Sequence, residues 1–289
     1  MPHTKLIKGL LAGFLTVGLA GCGSTAATRS ASSTSSSDTG TVFRTVDEIK
    51  KDGTLRVAVF SDKAPFGYVD ENGDYQGYDV YYAKRIAKDL GVDVEFTPVS
   101  PSARIDIVNS GQVDITLANF TVTDERARQV DFTAPYMKVA LGVVSPDSAV
   151  ITDVNDLKEL IVAKGTTAET YFEENYPDVK LIKYDEYADA YNALLDGRGP
   201  AFSTDNTEVL AWAKANPGYT VGITQLGDYD AIAPAVAKGN KTLADFLNDE
   251  IQTLGDEQFF HKDYEETLRP VYGDAADPDE IVVEYGKID

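Results

Sequence analysis

The segment at residues 113–126, VDITLANFTVTDER, carries the pattern that decides the fold. Its first half, 113–119, has the composition of a buried strand, and Thr123 is an N-cap residue followed by the acidic first turn of a helix. A strand that passes directly into a capped helix is the repeating unit of α/β proteins. The segment therefore predicts an α/β fold, with polar residues between strand and helix at the carboxyl edge of a sheet.

The same alternation extends outward in both directions. Upstream, strand 54–60 precedes a helix capped at Asp79, and strand 92–99 precedes helix 102–110. Further predicted strands are 138–145, 160–164, 179–183, 201–204 and 220–224, and further predicted helices are 153–160, one from Thr166, 186–195, 241–254 and 256–267. Strands that alternate with helices in this way predict mostly parallel sheets.

Two strand–helix runs, joined through the apolar segment VALGVV at 139–144, predict two lobes. We expect residues 43–136 and 233–289 to form lobe 1 and residues 140–229 to form lobe 2. The chain would then cross between the lobes at two hinge strands, about 137–139 and 230–232. A cleft between two such lobes is the default position for a ligand.

The composition excludes several classes of function. The chain has 289 residues, with 26 Lys+Arg against 47 Asp+Glu and a formal charge of −21, so we expect no binding to nucleic acid. Its single cysteine, Cys22, cannot form a disulfide within the chain, and His3 and His261 are too few for a zinc cluster. A catalytic triad would have to use His261, which we expect at the edge of a helix. The sequence therefore predicts no metal and no cofactor.

The N-terminal region has the pattern of a secreted, anchored protein. Residues 1–21 have the form of a lipoprotein signal peptide, with Lys5 and Lys8 at its start, a short apolar run and small residues before Cys22. The segment LAGC at 19–22 resembles the bacterial lipobox, in which the cysteine is diacylated and becomes the mature N-terminus. Residues 22–42 are rich in Ser, Thr and Ala, which predicts an acylated cysteine followed by a flexible tether. We expect the protein on the outer face of a membrane, held by the lipid alone.

Three segments at the predicted carboxyl ends of strands carry polar groups that suit a small ligand. In 119–126, hydroxyl groups and a helix N-terminus accompany Arg126, whose guanidinium group binds carboxylates bidentately. The alternative is that Arg126 pairs with Asp124 or Asp131 on its own surface.

The other two segments lie in the second run of strands and helices. In KGTT at 164–167, Gly165 allows close backbone approach, and Thr166 and Thr167 offer hydroxyl and N–H groups, although a plain helix cap explains this pattern as well. Asp205 ends a buried strand and suits an ammonium partner, or it caps the next helix. A guanidinium group in one lobe and a carboxylate in the other match the two poles of a free α-amino acid.

On these residues the sequence resembles the solute-binding proteins of polar amino-acid ABC transporters, which have a two-lobed periplasmic-binding fold of type II. The resemblance covers residues 43–289. It rests on APFGYVDENG at 64–73, QGYDV at 76–80, GQVDI at 111–115, TVTDER at 121–126, VDFTAPY at 130–136 and KGTT at 164–167. Four segments look closest to cysteine- or cystine-binding receptors: LANFT at 117–121, PYMKVALG at 135–142, STDNT at 203–207 and QFFHK at 258–262.

The resemblance implies roles for individual residues. Arg126 would hold the α-carboxylate of the ligand, with Thr121 and Thr167 donating hydrogen bonds to it. Asp205, helped by the backbone of Asn119, would hold the α-amino group.

The residues that would contact the ligand side chain leave more than one ligand open. Many family members have an aromatic ring at the position of Lys63, and this chain instead has Phe60 and Phe66 nearby. Arg104 resembles the arginine that receptors for acidic amino acids use for a side-chain carboxylate, or it is a surface arginine. Glutamate, aspartate and glutamine therefore stay open as ligands beside cysteine and cystine.

The resemblance implies reversible capture without chemistry, by a monomer that delivers its ligand to a membrane permease with an ATPase on the far side. One alternative is an enzyme on the same scaffold, such as a dehydratase of a cyclohexadienyl acid. It would require a positioned general acid, and no Glu or His is among the predicted site residues. A surface adhesin is a second alternative, against which the lack of sequence repeats argues.

Overall fold

A computed structural model of the protein describes residues 42–288. The predicted signal segment 1–21, Cys22 and all of the predicted tether except Val42 lie outside the described residues. Within 42–288, no helix has the length and apolar character required to cross a membrane.

Strands and helices alternate along the described chain. The strands are β1 Thr54–Val59, β2 Asp62–Lys63, β3 Gly67–Val69, β4 Tyr75–Gln76, β5 Asp93–Pro98, β6 Ile115–Thr116, β7 Val130–Phe132, β8 Met137–Pro146, β9 Glu159–Ala163, β10 Lys180–Tyr184, β11 Phe202–Asp205, β12 Tyr219–Ile232 and β13 Ala235–Ala237. The helices are α1 Val46–Asp52, α2 Tyr78–Leu90, α3 Arg104–Asn109, α4 Asp124–Ala127, α5 Thr167–Asn175, α6 Tyr187–Leu195, α7 Asn206–Ala215, α8 Lys241–Asp256, α9 Phe259–Asp263, α10 Arg269–Tyr272 and α11 Pro278–Ile281. A π-helical turn, Tyr264–Leu268, joins α9 to α10.

Two five-stranded sheets form the centres of two lobes. The sheet of lobe 1 has the order β5-β1-β6-β13-β7, and the sheet of lobe 2 has the order β10-β9-β11-β8-β12. In each sheet four strands run in one direction and one runs against them, β13 in lobe 1 and β8 in lobe 2. The predicted α/β fold with mostly parallel sheets is therefore confirmed.

The chain passes between the lobes along β8 and β12. These strands pair antiparallel, with Met137 opposite Ile232 and Val139 opposite Asp230. At the lobe 1 end, Ile232 also bridges to Thr121, and Met137 bridges to Val282 near the C-terminus. Two adjacent strands thus connect the lobes, which restricts their relative motion to bending and twisting of this ribbon.

Helix packing completes the core of lobe 1. On α2 and α8, apolar residues recur at helical spacing and bury one face of each helix against the core. The core-facing residues are Tyr82, Ala83, Ile86 and Leu90 on α2, and Leu243, Leu247, Ile251 and Leu254 on α8. The polar faces of both helices remain toward solvent, so the lobe has a defined inside and outside.

One predicted helix is wrong, and another begins later than predicted. At 153–160 the chain makes only a 3₁₀ turn, Val154–Asp156, because the Asp153 carboxylate accepts from Asn155 N and the following residues pair with β10 as strand β9. The predicted helix 256–267 starts later, because Gln258 takes a left-handed conformation with φ 53° between α8 and α9.

Candidate functional site

Arg126 lies at the boundary between the lobes. It belongs to α4 of lobe 1, whose N-cap Thr123 accepts from Arg126 N at 3.2 Å. Its Nη1 donates to the Thr121 carbonyl at 2.7 Å, and its Nη2 reaches across to the Gly165 carbonyl of lobe 2 at 2.9 Å. These two bonds leave three of the five guanidinium N–H groups for other acceptors.

Among the described residues, no carboxylate forms a salt bridge with Arg126. The alternative pairing with Asp131 is not found, because Asp131 instead contacts Lys238 Nζ at 2.7 Å. Burial and the positive charge of nearby Arg104 lower the pKa of Arg126 to about 9. A bound anion would relieve both effects, so this guanidinium group is suited to an anionic ligand.

Arg104 is buried beside Arg126, but nearly all of its guanidinium N–H groups already have acceptors. Its Nε donates to the Pro101 carbonyl at 2.9 Å, and its Nη1 donates to the carbonyls of Ala118 and Asn119, both at 3.1 Å. Its Nη2 donates to the Gly165 carbonyl at 3.0 Å. Four of its five N–H groups are therefore used on backbone oxygens, three in lobe 1 and one, Gly165, in lobe 2.

The negative pole of the site is Asp205, at the end of β11 in lobe 2. Its Oδ2 lies 3.0 Å from the Nζ of Lys63, which belongs to β2 of lobe 1 and is only 1% exposed. Burial alone would lower the pKa of Lys63, but the negative charge of Asp205 and the hydrogen bond to it outweigh burial and raise the pKa above its usual value. Lys63 is thus a buried, charged group.

Aromatic rings surround this ion pair. The Nζ of Lys63 lies 4.6 Å from the ring centre of Tyr187 and 5.5 and 5.6 Å from those of Phe60 and Phe66. Phe60 and Tyr187 also meet edge to face across the lobes, at 5.3 Å between ring centres. The three predicted pocket residues of lobe 1 thus lie together, and Tyr187 joins them from lobe 2.

Asp205 occupies the N-cap position of α7, yet within the described chain its side chain makes no capping hydrogen bond. Its carboxylate is directed to Lys63 instead, which disfavours a purely structural cap. Sequence reasoning missed Glu208, one turn further along α7, whose Oε2 lies 3.9 Å from Lys63 Nζ. No signal in the sequence marked it, because an acidic residue in the first turn of a helix is common.

Asn119 lies beside Arg104 in a strained backbone conformation, with φ 44°. Its backbone N donates to Asp79 Oδ2 at 2.7 Å. Burial raises the pKa of Asp79 to about 7, although hydrogen bonds from Tyr136 and Asn119 oppose the shift. The amide atoms of the Asn119 side chain are buried and have no partner among residues 42–288. Such a residue is a candidate for contact with a ligand.

The predicted threonines differ in what they can offer. The Thr166 hydroxyl donates to the Ala163 carbonyl at 2.7 Å and accepts from Glu169 N at 3.3 Å, so it caps α5. Thr167 begins α5 and borders a cavity of about 700 Å³ that Arg126 and Asp230 also line. Thr121 is buried and contacts Arg126 through its carbonyl.

A fold of this kind places the protein in the class of two-lobed periplasmic-binding-type proteins. The family model "Bacterial extracellular solute-binding proteins, family 3" matches residues 55–267. The chain therefore belongs to this family of solute-binding proteins.

Solved structures and a curated relative extend this assignment. The cysteine-binding protein of Campylobacter jejuni is 52% identical, over 83% of this chain and 98% of that one, with a TM-score of 0.81. A solute receptor for L-cysteine from Neisseria gonorrhoeae is 50% identical, over 83% and 100% of the two chains, with a TM-score of 0.82. The glutamine-binding protein of Geobacillus stearothermophilus is 33% identical over 70% of this chain and 80% of its own.

Proposed function

We propose that the protein is an extracytoplasmic receptor of an ABC importer that captures a free amino acid, L-cysteine or L-cystine, between its lobes. The observation that carries this proposal is the opposition of charges across the lobe boundary. Arg126 of lobe 1 has three unused N–H groups, and Asp205 of lobe 2 has a carboxylate free of any capping role in the described chain.

Each pole of a zwitterion has a partner in this arrangement. The ligand carboxylate would take the free N–H groups of Arg126 and the N-terminus of α5 at Thr167, and its ammonium group would take Asp205. Since the partners belong to different lobes, a bound amino acid favours the closed form over the open one. A plain amine would leave Arg126 without an anion, which costs several kcal/mol, and a plain acid would make no contact with Asp205.

Two observations favour cysteine or cystine over an acidic ligand. The two solved structures named above are receptors for cysteine at 50 and 52% identity. Arg104, the candidate for a side-chain carboxylate, already uses four of its N–H groups on backbone carbonyls. The side chain of the ligand would instead meet Phe60, Lys63 and Tyr187.

The proposal includes the site of action. Cys22, once acylated, would hold the protein at the outer face of a membrane, where a monomer releases the unchanged amino acid to a permease. Cells grown with an alkyne-bearing fatty acid should label the wild-type protein and leave the Cys22→Ser variant unlabelled. Labelling of both variants would reject this anchor.

Thermal denaturation with each of the twenty amino acids tests the ligand, with L-cysteine kept reduced and L-cystine added without reductant. A ligand at 100 times its dissociation constant adds about 2.7 kcal/mol to the free energy of unfolding, so the correct one raises Tm clearly. If glutamate, aspartate or glutamine gives the largest shift in Tm, the assignment of cysteine or cystine as the ligand is rejected, while the function as an amino-acid receptor stands. No shift with any amino acid would reject the receptor.

A further inference from the structure

Lys63 lies between two carboxylates of lobe 2. Its Nζ is 3.0 Å from Asp205 Oδ2 and 3.9 Å from Glu208 Oε2, and the Lys63 and Glu208 side chains are both 1% exposed. Only the first of these distances is a hydrogen bond. A displacement of the ammonium group by about 1 Å would exchange Asp205 for Glu208 as the hydrogen-bond partner.

Only one of the two carboxyl oxygens of Glu208 has a hydrogen-bond donor in the described chain. Its Oε1 accepts from the Tyr191 hydroxyl at 2.7 Å, whereas no hydrogen-bond donor reaches its Oε2 anywhere in residues 42–288. Burial raises the pKa of Glu208 to about 8, although Lys63 and Tyr191 oppose the shift. At neutral pH the carboxyl group is therefore mostly protonated while Lys63 remains on Asp205.

We propose that the amino acid and Lys63 exchange partners: the ligand ammonium group takes Asp205, and Lys63 moves to Glu208, which releases its proton. The O–H bond of the Glu208 carboxyl breaks, the proton passes to solvent, and the new carboxylate pairs with the Lys63 ammonium. This step rests on the proposed function and deepens it, since it makes Glu208 a positioning residue that acts through Lys63.

The charges around the pair make the exchange necessary. With a second ammonium group in the cleft, Asp205 alone would face two cations, and a buried cation without an anion costs several kcal/mol. The titratable groups around the Lys63–Glu208 pair are Asp62 on β2, Asp79 on α2, Tyr187 and Tyr191 on α6, Asp205 on β11 and Tyr272 on α10. Asp62 is partly exposed and accepts from Ala188 N at 2.9 Å, and the Asp79 carboxylate accepts from Tyr136 and from Asn119 N. Glu208 is therefore the buried carboxyl beside Lys63 that can ionise for it.

Calorimetry with L-cysteine at pH 6 and pH 7 tests the exchange. The ligand thiol, with a pKa of about 8.5, stays protonated at both pH values, so a released proton does not come from it. Titrations in two buffers with different enthalpies of ionisation measure the protons exchanged. We expect release of nearly one proton and an affinity about tenfold higher at pH 7 than at pH 6. Glu208→Gln should abolish the release and flatten the pH dependence.

Glu250→Gln is the matched control. Glu250 is also a buried glutamate whose pKa burial raises to about 8, but it lies on α8 of lobe 1, away from Lys63. This variant should release the proton as the wild type does. Undiminished release in Glu208→Gln, or equal loss of release in both variants, would overturn the exchange.

The Lys63→Met variant tests whether Lys63 exchanges Asp205 for Glu208 or only contacts the ligand directly. Without Lys63 the ligand has no competitor for Asp205 and Glu208 has no cation to ionise for, so binding should release no proton and the affinity should vary little between pH 6 and pH 7. Proton release as in the wild type would overturn the proposal. If the wild type binds the amino acid without releasing a proton, the exchange is overturned and the proposed function stands. If calorimetry detects no binding of cysteine, cystine, glutamine, glutamate or aspartate, the proposed function is refuted.

Discussion

The guanidinium groups of Arg104 and Arg126 donate to the same acceptor, the Gly165 carbonyl, at 3.0 and 2.9 Å. Both arginines belong to lobe 1 and Gly165 belongs to lobe 2, so this one oxygen joins the lobes at the edge of the cleft. One buried and one partly buried cation on a neutral oxygen attract any anion that can approach them. The position of the Gly165 loop therefore affects both the contact between the lobes and the binding of a carboxylate.

We predict that Gly165→Ala weakens ligand binding at least tenfold by holding the lobes apart. A Cβ atom at Gly165 would lie 2.6 Å from Ser102 Cα in the other lobe, a distance at which backbone must move. Calorimetry with the ligand measures the loss.

Gly197→Ala is the control for this prediction. Gly197 has φ 68°, close to the 74° of Gly165, but a Cβ there meets no atom of the described chain within 4 Å. Both variants should lose about 1 kcal/mol of stability through the positive φ, and only Gly165→Ala should lose affinity. Equal affinities in the two variants would contradict a close approach at Gly165.

Arg126→Ala should reduce the affinity for the amino acid by at least about 2 kcal/mol, because a carboxylate in the cleft would lose its bidentate partner. Arg128→Ala removes the same charge from an exposed residue that borders the same 700 Å³ cavity, and should bind almost as well as the wild type. Calorimetry on both variants measures the difference. Unchanged affinity in Arg126→Ala would reject its role.

Arg104→Met is expected to act on stability and to leave the order of ligand preference unchanged. The substitution removes the donor from four backbone carbonyls, so the free energy of unfolding should fall by about 3 kcal/mol in urea titrations. Arg128→Met, at an exposed position, should change it little. If Arg104→Met instead reverses a preference for glutamate, Arg104 binds a side-chain carboxylate and the proposed ligand is wrong.

Sequence reasoning succeeded where the cause is local. Strand β6 and the capped helix α4 follow from hydrophobic pattern and the Thr123 cap, which act within a few residues. It failed at 153–160, where only the 3₁₀ turn Val154–Asp156 forms and strand β9 begins at Glu159. The strand itself was predicted, at 160–164, but the residue at which its pairing with β10 begins leaves no mark in a short window of sequence.

The site was predictable only in part, for the same reason. Arg126 and Asp205 could be proposed because each follows a strand, where ligands of α/β sheets bind. The Lys63–Asp205 contact joins residues 142 positions apart, and the Arg104–Gly165 contact joins residues 61 apart. Neither could be derived from spacing, because both form only where the two lobes meet. Glu208 was missed because only its position beside Lys63 distinguishes it.

His261 should make stability depend on pH. It lies 3.0 Å from both Glu284 and Asp279, and hydrogen bonds with these carboxylates outweigh burial and raise its pKa. A raised pKa in the folded state gives stabilisation that is complete below about pH 6.5, the unfolded value, and is lost as pH rises through the folded value.

Comparison of wild type with His261→Gln in urea titrations at pH 5.5 and pH 8.5 measures this effect. The variant should be less stable mainly at pH 5.5, with the difference shrinking at pH 8.5. Lys262→Gln, which removes a neighbouring exposed charge, should show the same small difference at both pH values. A loss in His261→Gln that is independent of pH would mean that the ring contributes through packing alone.

Asp205→Asn should weaken ligand binding and also destabilise the protein. Lys63 would keep only Glu208 as an anionic partner, so the free energy of unfolding should fall by up to about 3 kcal/mol, with Glu208 compensating in part. The double variant Lys63→Met/Asp205→Asn removes the stranded cation. It should recover stability in urea titrations without recovering affinity in calorimetry. Recovery of affinity as well, or full affinity in Asp205→Asn, would place the ammonium site elsewhere.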